Sequence, residues 1–189
     1  DLVVEMAAHL MPLKAVSLML LEDGDRLVRH AVHGLSDAYR RGPAISLGEG
    51  VMGGVAAEGR PAVVRDVRRD ERYLYPDLAE AEGLFSLLSV PLQVRDRVIG
   101  VLNGYTGERR TFDPQEVELF TTLANQTALA IENARLVVNT AVVREMHHRV
   151  KNNLQTIAML LRLQMGEPGL DAAEALRESI HRILSIAAV

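Results

Sequence analysis

The strongest constraint on the fold is a long stretch of the chain, residues 115–165, that contains neither glycine nor proline. Both residues disfavour helix interiors, so their absence over this length predicts one long helix. Within it, apolar side chains recur at a spacing that forms one buried stripe. They are Val150, Leu154, Ile157 and Leu161. His147 extends this stripe, whereas His148 lies about 100° away around the helix and is expected to face solvent.

His148 has polar neighbours on its predicted helix face. Glu145 lies three residues before it and Asn152 four residues after it, so a carboxylate, an imidazole and an amide share one side. A neutral imidazole is a nucleophile near pH 7, and an exposed one can meet another protein. Adjacent helical residues diverge too far for His147 and His148 to bind one metal ion together, so no metal site is predicted here.

The residues around His148 also match a known pattern. Residues 145–155 read EMHHRVKNNLQ, and residues 160–164 read LLRLQ. This sequence resembles the phosphoacceptor box of sensor histidine kinases, and it is most similar to the HWE-like branch, the second HisKA subfamily. The resemblance implies that ATP, bound with Mg²⁺ by a separate catalytic domain, phosphorylates His148. The aspartate of a response-regulator receiver domain would then take the phosphoryl group.

The neighbouring residues have expected roles in this chemistry. We expect Glu145, one helical turn before His148, to orient the imidazole ring. Arg149 and Lys151 would offset the charge of the phosphoryl group. Asn152 occupies the fourth position after His148, where the resemblance implies a residue that positions water for dephosphorylation.

A second apolar stripe follows the turn at residues 166–169, which read GEPG. It consists of Ala173, Leu176, Ile180, Ile183 and Ala187. Two antiparallel helices with one apolar stripe each cannot cover both stripes by themselves. The sequence therefore predicts a helical hairpin that pairs with a second copy, giving a homodimer with a four-helix bundle.

Composition limits the remaining function classes. The net charge of −4 argues against nucleic-acid binding, and the absence of cysteine excludes disulfides and thiolate metal sites and fits the reducing cytoplasm. No apolar run reaches membrane-spanning length, so no membrane span is expected in this fragment. The chain starts without methionine and stops inside a periodic helix. We therefore expect a fragment truncated before its ATP-binding domain.

The N-terminal part predicts a mixed helix and sheet domain. A helical pattern covers 1–13, and two hairpins are expected, one from 15–21 with 27–32 and one from 87–94 with 98–105. Residues 45–61 predict a glycine turn that leads into a short helix ending at Gly59. Between these elements we expect a strand at 62–65 and an exposed loop with one helical turn at 66–83. Asp113 and Pro114 predict the N-cap and the first position of the long helix.

Several soft patterns within residues 1–137 agree with one family. They are SLGEGVMG at 46–53, SVPL at 89–92, VIGVL at 98–102 and LANQTALAIENA at 123–134. Together they resemble a GAF domain, which implies an antiparallel sheet flanked by helices and a possible small-molecule ligand of unknown identity. The absence of cysteine excludes a thioether-linked bilin, and Gln115-Glu116 departs from the cyclic-nucleotide signature. Haem ligation by His9, His30 or His33 is the less favoured alternative, because surface positions are expected for them.

The sequence thus predicts an α+β chain with two parts: a GAF sensor domain at 1–137, and a signalling helix with a dimerisation and phosphotransfer hairpin at 138–189. The apolar stripe that begins at Phe120 and the stripe through Val150 differ in register, with the break near Ala141. This break indicates either a helix that changes its buried face or one with two competing packings. The predicted function is that of a sensor histidine kinase. The alternative is a non-catalytic dimeric ligand-binding module or a phosphorelay carrier.

Overall fold

A computed structural model of the chain describes residues 2–135. The elements, in chain order, are α1 Leu2–Leu10, β1 Ala15–Glu22, β2 Arg26–His33, α2 Asp37–Arg40, β3 Ile45–Ser46, α3 Gly50–Glu58, β4 Ala62–Val64, α4 Pro76–Ala81, β5 Leu87–Val94 and β6 Arg97–Tyr105. A further helix, α5, begins at 114 and continues through 135, the last described residue. The α+β class and both hairpins are confirmed, and the helical hairpin lies outside the described residues.

The six strands form one antiparallel sheet in the order β3-β2-β1-β6-β5-β4. The two hairpins, β1–β2 and β5–β6, meet through β1 and β6 at the centre. This is the antiparallel arrangement that the GAF resemblance implied. Since side chains alternate along a strand, each central strand contributes to two separate cores, one on each side of the sheet.

We call one side the α1–α5 face, because α1 and α5 cover it. Its buried core comprises Val4, Ala7, Ala8, Met11, Leu13, Val16, Leu18, Leu20, Leu88, Val90, Leu92, Ile99, Leu102, Phe112, Phe120, Ala124 and Ala128. The part of the apolar stripe that starts at Phe120 therefore packs against the sheet. Gly104 allows this close contact, since a Cβ there would lie 2.7 Å from a Leu13 methyl carbon and 3.1 Å from the Phe120 ring.

We call the other side the α3 face, because α3 lies over it together with α2 and α4. Its core includes Met19, Leu27, Tyr39, Ile45, Met52, Val67, Tyr73, Leu87, Val101 and Tyr105. The loop before α4 contributes to this core, with Val67 and Tyr73 buried. The expectation of an exposed loop at 66–83 is therefore wrong for these residues. They close over the sheet because their apolar side chains complete its second core.

The helix ends follow the sequence signals. Asp113 Oδ1 accepts a hydrogen bond from the Glu116 amide at 2.8 Å, and Glu116 Oε2 accepts one from the Asp113 amide at 3.0 Å. This reciprocal capping box confirms the predicted start of α5. At the other end of α3, Gly59 adopts φ +65° as the C-cap, which a residue with a side chain rarely does.

Candidate functional site

The candidate site is organised around Arg29 on β2. The pairing of β1 with β2 shifts register beside Arg29, with Met19 opposite Arg29 and Leu18 opposite Ala31, so His30 is the extra residue of a β-bulge. Arg29 consequently lies on the α3 face with Met19. His30 turns to the surface, where its Nε2 lies 2.8 Å from Glu22 Oε1. The bulge thus places a cationic side chain beside the core of the α3 face.

The guanidinium group of Arg29 is held on three sides. Its Nη1 donates a hydrogen bond to the Pro43 carbonyl at 2.7 Å. The Tyr39 ring centre lies 4.9 Å from the guanidinium carbon and the Tyr75 ring centre 5.9 Å from it, distances typical of cation–π contacts. Gly42 allows the approach, since a Cβ there would lie 3.1 Å from Nη1. The remaining nitrogens, Nε and Nη2, are buried and make no hydrogen bond to any described residue.

Three buried tyrosines lie next to Arg29. The hydroxyl oxygens of Tyr39 and Tyr105 are 2.6 Å apart, and their rings meet edge to face at 6.1 Å. The Tyr105 hydroxyl also lies 3.9 Å from the Met52 sulfur on α3. Tyr73, on the loop before α4, is buried in the same core, and the pKa of its hydroxyl is affected by both Tyr39 and Tyr105. The Tyr39 and Tyr105 hydroxyls therefore meet between the sheet, α2 and α3.

Burial keeps these hydroxyls neutral. Desolvation raises the pKa of Tyr73 and Tyr105 well above the ordinary value, and the neighbouring Tyr39 raises both pKa values further. A neutral phenol both donates and accepts hydrogen bonds. Each hydroxyl of the cluster can therefore act as donor or acceptor toward its neighbour at physiological pH.

A second polar feature crosses the same face of the sheet. Ser89 Oγ donates to Asn103 Oδ1 at 2.7 Å, and Asn103 Nδ2 donates to Ser17 Oγ at 3.1 Å. All three residues are fully buried and lie opposite one another on β5, β6 and β1. Asn103 lies two residues before Tyr105 on β6, so the ladder and Tyr105 share the α3 face of the sheet.

Ion pairs stabilise the loop that carries Tyr73 and Tyr75. Asp66 accepts hydrogen bonds from the Arg109 side chain and from the Arg68 amide. Both bonds lower the pKa of the Asp66 carboxyl group, and the bond from Arg109 has the larger effect. Asp70 accepts two hydrogen bonds from Arg72, at 3.0 Å and 2.8 Å, which lower the pKa of Asp70 in the same way. Both carboxylates stay ionised at neutral pH. Asp66 ties the start of the loop to Arg109 in the segment after β6, whereas Asp70 and Arg72 pair within the loop.

The glycine segment before α3 has a structural role. Gly48 and Gly50 have φ values of +82° and +63°, and a Cβ on Gly53 would lie 2.3 Å from the Ser46 carbonyl oxygen. These glycines form the tight turn that the sequence predicted. An open groove of about 380 Å³ lies beside it, bordered by Gly54, Arg60 and Arg72 among others.

The histidines of the described region have local partners. His9 Nδ1 lies 2.8 Å from the Glu5 carbonyl oxygen, and His30 contacts Glu22. His33 lies with its ring centre 5.9 Å from that of His9. Within residues 2–135 no three histidine, aspartate or glutamate side chains cluster as a metal site would require.

The sequence patterns did not identify Arg29 or the tyrosines as site residues. Tyr73 and Tyr75 were assigned to an exposed loop, and the β2 pattern does not reveal a bulge. One signal was available: the chain has four tyrosines and no tryptophan, and all four tyrosines lie at this site. The predicted phosphoacceptor residues Glu145, His148, Arg149, Lys151 and Asn152 lie outside the described residues.

Comparisons with known proteins agree with this architecture. The structure is similar to the GAF domain of a phosphoenolpyruvate-protein phosphotransferase from Coxiella burnetii, with 26% identity and a TM-score of 0.66 over 74% of this chain and 83% of that one. It is also similar to free methionine-R-sulfoxide reductase from Neisseria meningitidis, solved with its substrate, with 26% identity and a TM-score of 0.59. That match covers 72% of this chain and 81% of the reductase.

A curated relative is the sensor histidine kinase PdtaS of Mycolicibacterium smegmatis, 56% identical over 55 residues. That alignment covers 29% of this chain and 11% of the relative, so the chain matches only about a tenth of the relative's length. Among residues 2–135, no helix has the length and apolar character needed to cross a lipid bilayer.

Two family models match separate parts of the chain. The model for histidine kinases matches residues 145–189, which include all five predicted phosphoacceptor residues. The model described as GAF domain matches residues 1–132, the part that folds as the six-stranded sheet with its helices. The chain therefore belongs to the GAF domain family, and a histidine kinase segment follows its GAF domain.

Proposed function

We propose that the chain is the sensor and phosphoacceptor part of a two-component sensor histidine kinase. The observation that supports this most is the order of the two family matches, a GAF domain at 1–132 followed after 12 residues, 133–144, by a histidine kinase segment at 145–189. The identity of 56% to a sensor histidine kinase supports the same function. The GAF domain would bind a small molecule and thereby control phosphorylation of the histidine.

The proposed reaction is phosphoryl transfer to His148. A ring nitrogen of the neutral imidazole attacks the γ-phosphorus of Mg²⁺-bound ATP, the bond to the β–γ bridging oxygen breaks, and ADP leaves. Glu145 accepts the N–H of the other ring nitrogen and so fixes the tautomer. Arg149 and Lys151 offset the negative charge of the transferred group. A receiver-domain aspartate then attacks the phosphorus and regenerates the free imidazole.

Asn152 has a separate role in the proposal. Four residues after His148, it would position a water molecule that hydrolyses the phosphorylated partner. The ATP and the receiver domain that this chemistry needs are both found in the cytoplasm, so we place the chain there. The boundary between the two parts is proposed at 137/138, close to the end of the GAF match.

The proposed assembly is a homodimer. The two apolar stripes of the sequence, on Val150–Leu161 and Ala173–Ala187, would stay exposed in a single hairpin. Burying a large apolar side chain contributes about 1.5–3 kcal/mol, so pairing of the stripes favours a dimer. Light scattering at micromolar concentration should give twice the chain mass, and a helical monomer at that concentration contradicts the assembly.

Labelling with radioactive ATP tests the function. We expect the chain alone to stay unlabelled, and to take up acid-labile phosphate when an ATP-binding domain of the same kinase class is added. His148→Gln should abolish this labelling. The matched variant His147→Gln, which changes the adjacent ring, should keep it, and Glu145→Gln should slow it.

The outcomes separate the alternatives. Label on His148→Gln but not on His147→Gln contradicts the assignment of the phosphoacceptor. A chain that resists labelling by every kinase core of the class behaves as a non-catalytic ligand-binding module. A chain that exchanges phosphate with a receiver domain but not with ATP-binding domains behaves as a phosphorelay carrier.

A further inference from the structure

Arg29 presents one free edge of its guanidinium group. Nη1 is committed to the Pro43 carbonyl, whereas Nε and Nη2 are buried and have no partner among the described residues. In arginine the Nε–H and one terminal N–H point in the same direction as a parallel pair. Burying charged donors without partners is costly, far more so than burying neutral ones. The arrangement therefore lacks an acceptor.

The acceptor that fits this edge best is a carboxylate. Its two coplanar oxygens match the two parallel N–H groups, and such charge-assisted pairs are both short and strong. One guanidinium supplies one positive charge, which offsets a monoanion but leaves a phosphate dianion with excess charge in a buried place. The rings of Tyr39 and Tyr75, at 4.9 Å and 5.9 Å, border the guanidinium with apolar surface.

We propose that the α3 face binds a small organic monocarboxylate, whose carboxylate accepts hydrogen bonds from Nε and Nη2 of Arg29. This inference deepens the proposed sensor function, because it names the chemical class of the ligand. The body of the ligand lies against the Tyr39 and Tyr75 rings.

Binding at this position requires movement, because the free nitrogens are sealed from solvent. Two segments cover Arg29: the one with Gly42 and Pro43, and the one with Tyr73 and Tyr75. At least one must open to admit the ligand. A carboxylate stabilises the closed form and shifts the population toward it. The ligand therefore changes the state of the α3 face, as a sensor requires.

The chain carries its own optical probe for this test. All four of its tyrosines lie at the site, and there is no tryptophan to mask their emission. Tyrosine fluorescence and the thermal midpoint would be followed during titration with sodium acetate, butyrate and benzoate. Sodium phosphate and sodium chloride at the same ionic strength are the comparison salts.

The decisive variants are Arg29→Met and Arg29→Lys, with Arg26→Gln as the matched control. Arg26 lies on the same strand but is exposed, so its replacement removes the same charge outside the site. We expect saturable fluorescence changes and a raised thermal midpoint with at least one carboxylate in the parent chain and in Arg26→Gln. Arg29→Lys keeps the charge but loses the paired edge, and it should weaken binding at least about tenfold.

Arg29→Met should abolish the response. It should also keep or raise the thermal midpoint without ligand, because it removes two unpartnered donors. If Arg29→Met does not fold, the binding measurement on Arg29→Lys tests the proposal by itself.

Three results overturn the proposal: no saturable response to any of the carboxylates, an equal response in the folded Arg29 variants, or a stronger response to phosphate. The titration needs neither ATP nor His148. Its failure is therefore distinct from failure of the labelling experiment.

Discussion

The two faces of the sheet share the same strands but differ in the polarity of their buried side chains. On the α1–α5 face, aliphatic strand residues pack against the apolar side chains of α1 and α5. The α3 face buries three tyrosines and the Ser17–Asn103–Ser89 ladder, and it has Arg29 at its margin. Apolar burial is non-directional, whereas buried polar groups need specific partners. The first face therefore contributes apolar burial, whereas the second depends on specific hydrogen bonds.

The two cores also differ in the free energy that burial of their side chains costs or contributes. The apolar side chains in the core of the α1–α5 face all gain from leaving water. On the α3 face, each hydroxyl, amide and guanidinium group must recover the hydrogen bonds it loses, and Arg29 recovers only part of them. Natural proteins keep such expensive groups mainly where they act.

The largest effect is expected on the α1–α5 face. Phe120 is fully buried and lies against Gly104, so Phe120→Ala leaves a cavity beneath α5. We expect a loss of about 3–5 kcal/mol in the free energy of unfolding. Urea denaturation measures it. The neighbouring Leu119 is 43% exposed, and Leu119→Ala should change stability by less than about 0.5 kcal/mol. Equal losses would remove the distinction between core and surface of α5.

A smaller but specific effect is expected from the polar ladder. Asn103→Ala leaves the Ser89 hydroxyl without its acceptor and the Ser17 oxygen without its donor. Unfolding should become easier by about 1–3 kcal/mol, since buried polar groups would lose their partners. The control is Gln93→Ala on β5, which removes an amide whose hydrogen bond to the Arg95 carbonyl is exposed. If the two variants behave alike, the buried ladder does not contribute beyond a surface hydrogen bond.

Alkaline pH should destabilise the α3 face selectively. The pKa of Tyr73 and Tyr105 is raised on folding, mainly by burial. Above pH about 10 the unfolded chain releases these protons while the folded chain keeps them, so stability is intact below that pH and falls above it. The slope should approach ~1.4 kcal/mol per pH unit for each tyrosine. Tyrosinate absorbance should appear together with unfolding.

Tyr105→Phe sharpens this measurement. It should cost about 1 kcal/mol at neutral pH through the lost hydrogen bond to Tyr39, and it should reduce the alkaline slope. An unchanged slope would mean that Tyr105 ionises as readily in the folded chain as in the unfolded one.

The smallest effect is expected at the surface of the α1–α5 side. Arg97 pairs with Glu132 at 2.8 Å, but the arginine side chain is 66% exposed. Glu132→Gln should therefore cost about 0–1 kcal/mol, and added salt should reduce the difference further. A larger, salt-independent loss would show that this face depends on ion pairs as well as on apolar packing.

Features set by local chemistry were predictable from the sequence. The turn at Asp23-Gly24, the C-cap at Gly59 and the capping box at Asp113 each depend on residues close in the chain. Alternating apolar residues likewise predicted both hairpins. The resemblance to GAF domains then predicted that these elements form an antiparallel sheet flanked by helices.

The tyrosine site could not be predicted in the same way, because distant residues create it. Arg29 reaches the site through a bulge that alternation along β2 does not reveal, and Tyr39 meets Tyr105 across 66 positions. Tyr73 is buried because its loop folds over the sheet, which its polar neighbours in the sequence do not indicate. The short helix α2 was also missed, since four residues carry too little periodicity to recognise.

The sheet is one layer thick, so its two faces share the same backbone. On β6, Tyr105 belongs to the hydroxyl cluster, while the adjacent Gly104 is the place where Phe120 of α5 rests. One peptide unit therefore separates the hydroxyl cluster on the α3 face from the contact with α5 on the other face. Any displacement of the β6 backbone at this point would therefore change both contacts together. Adjacent residues of one strand thus connect the core of the α3 face to the packing of α5.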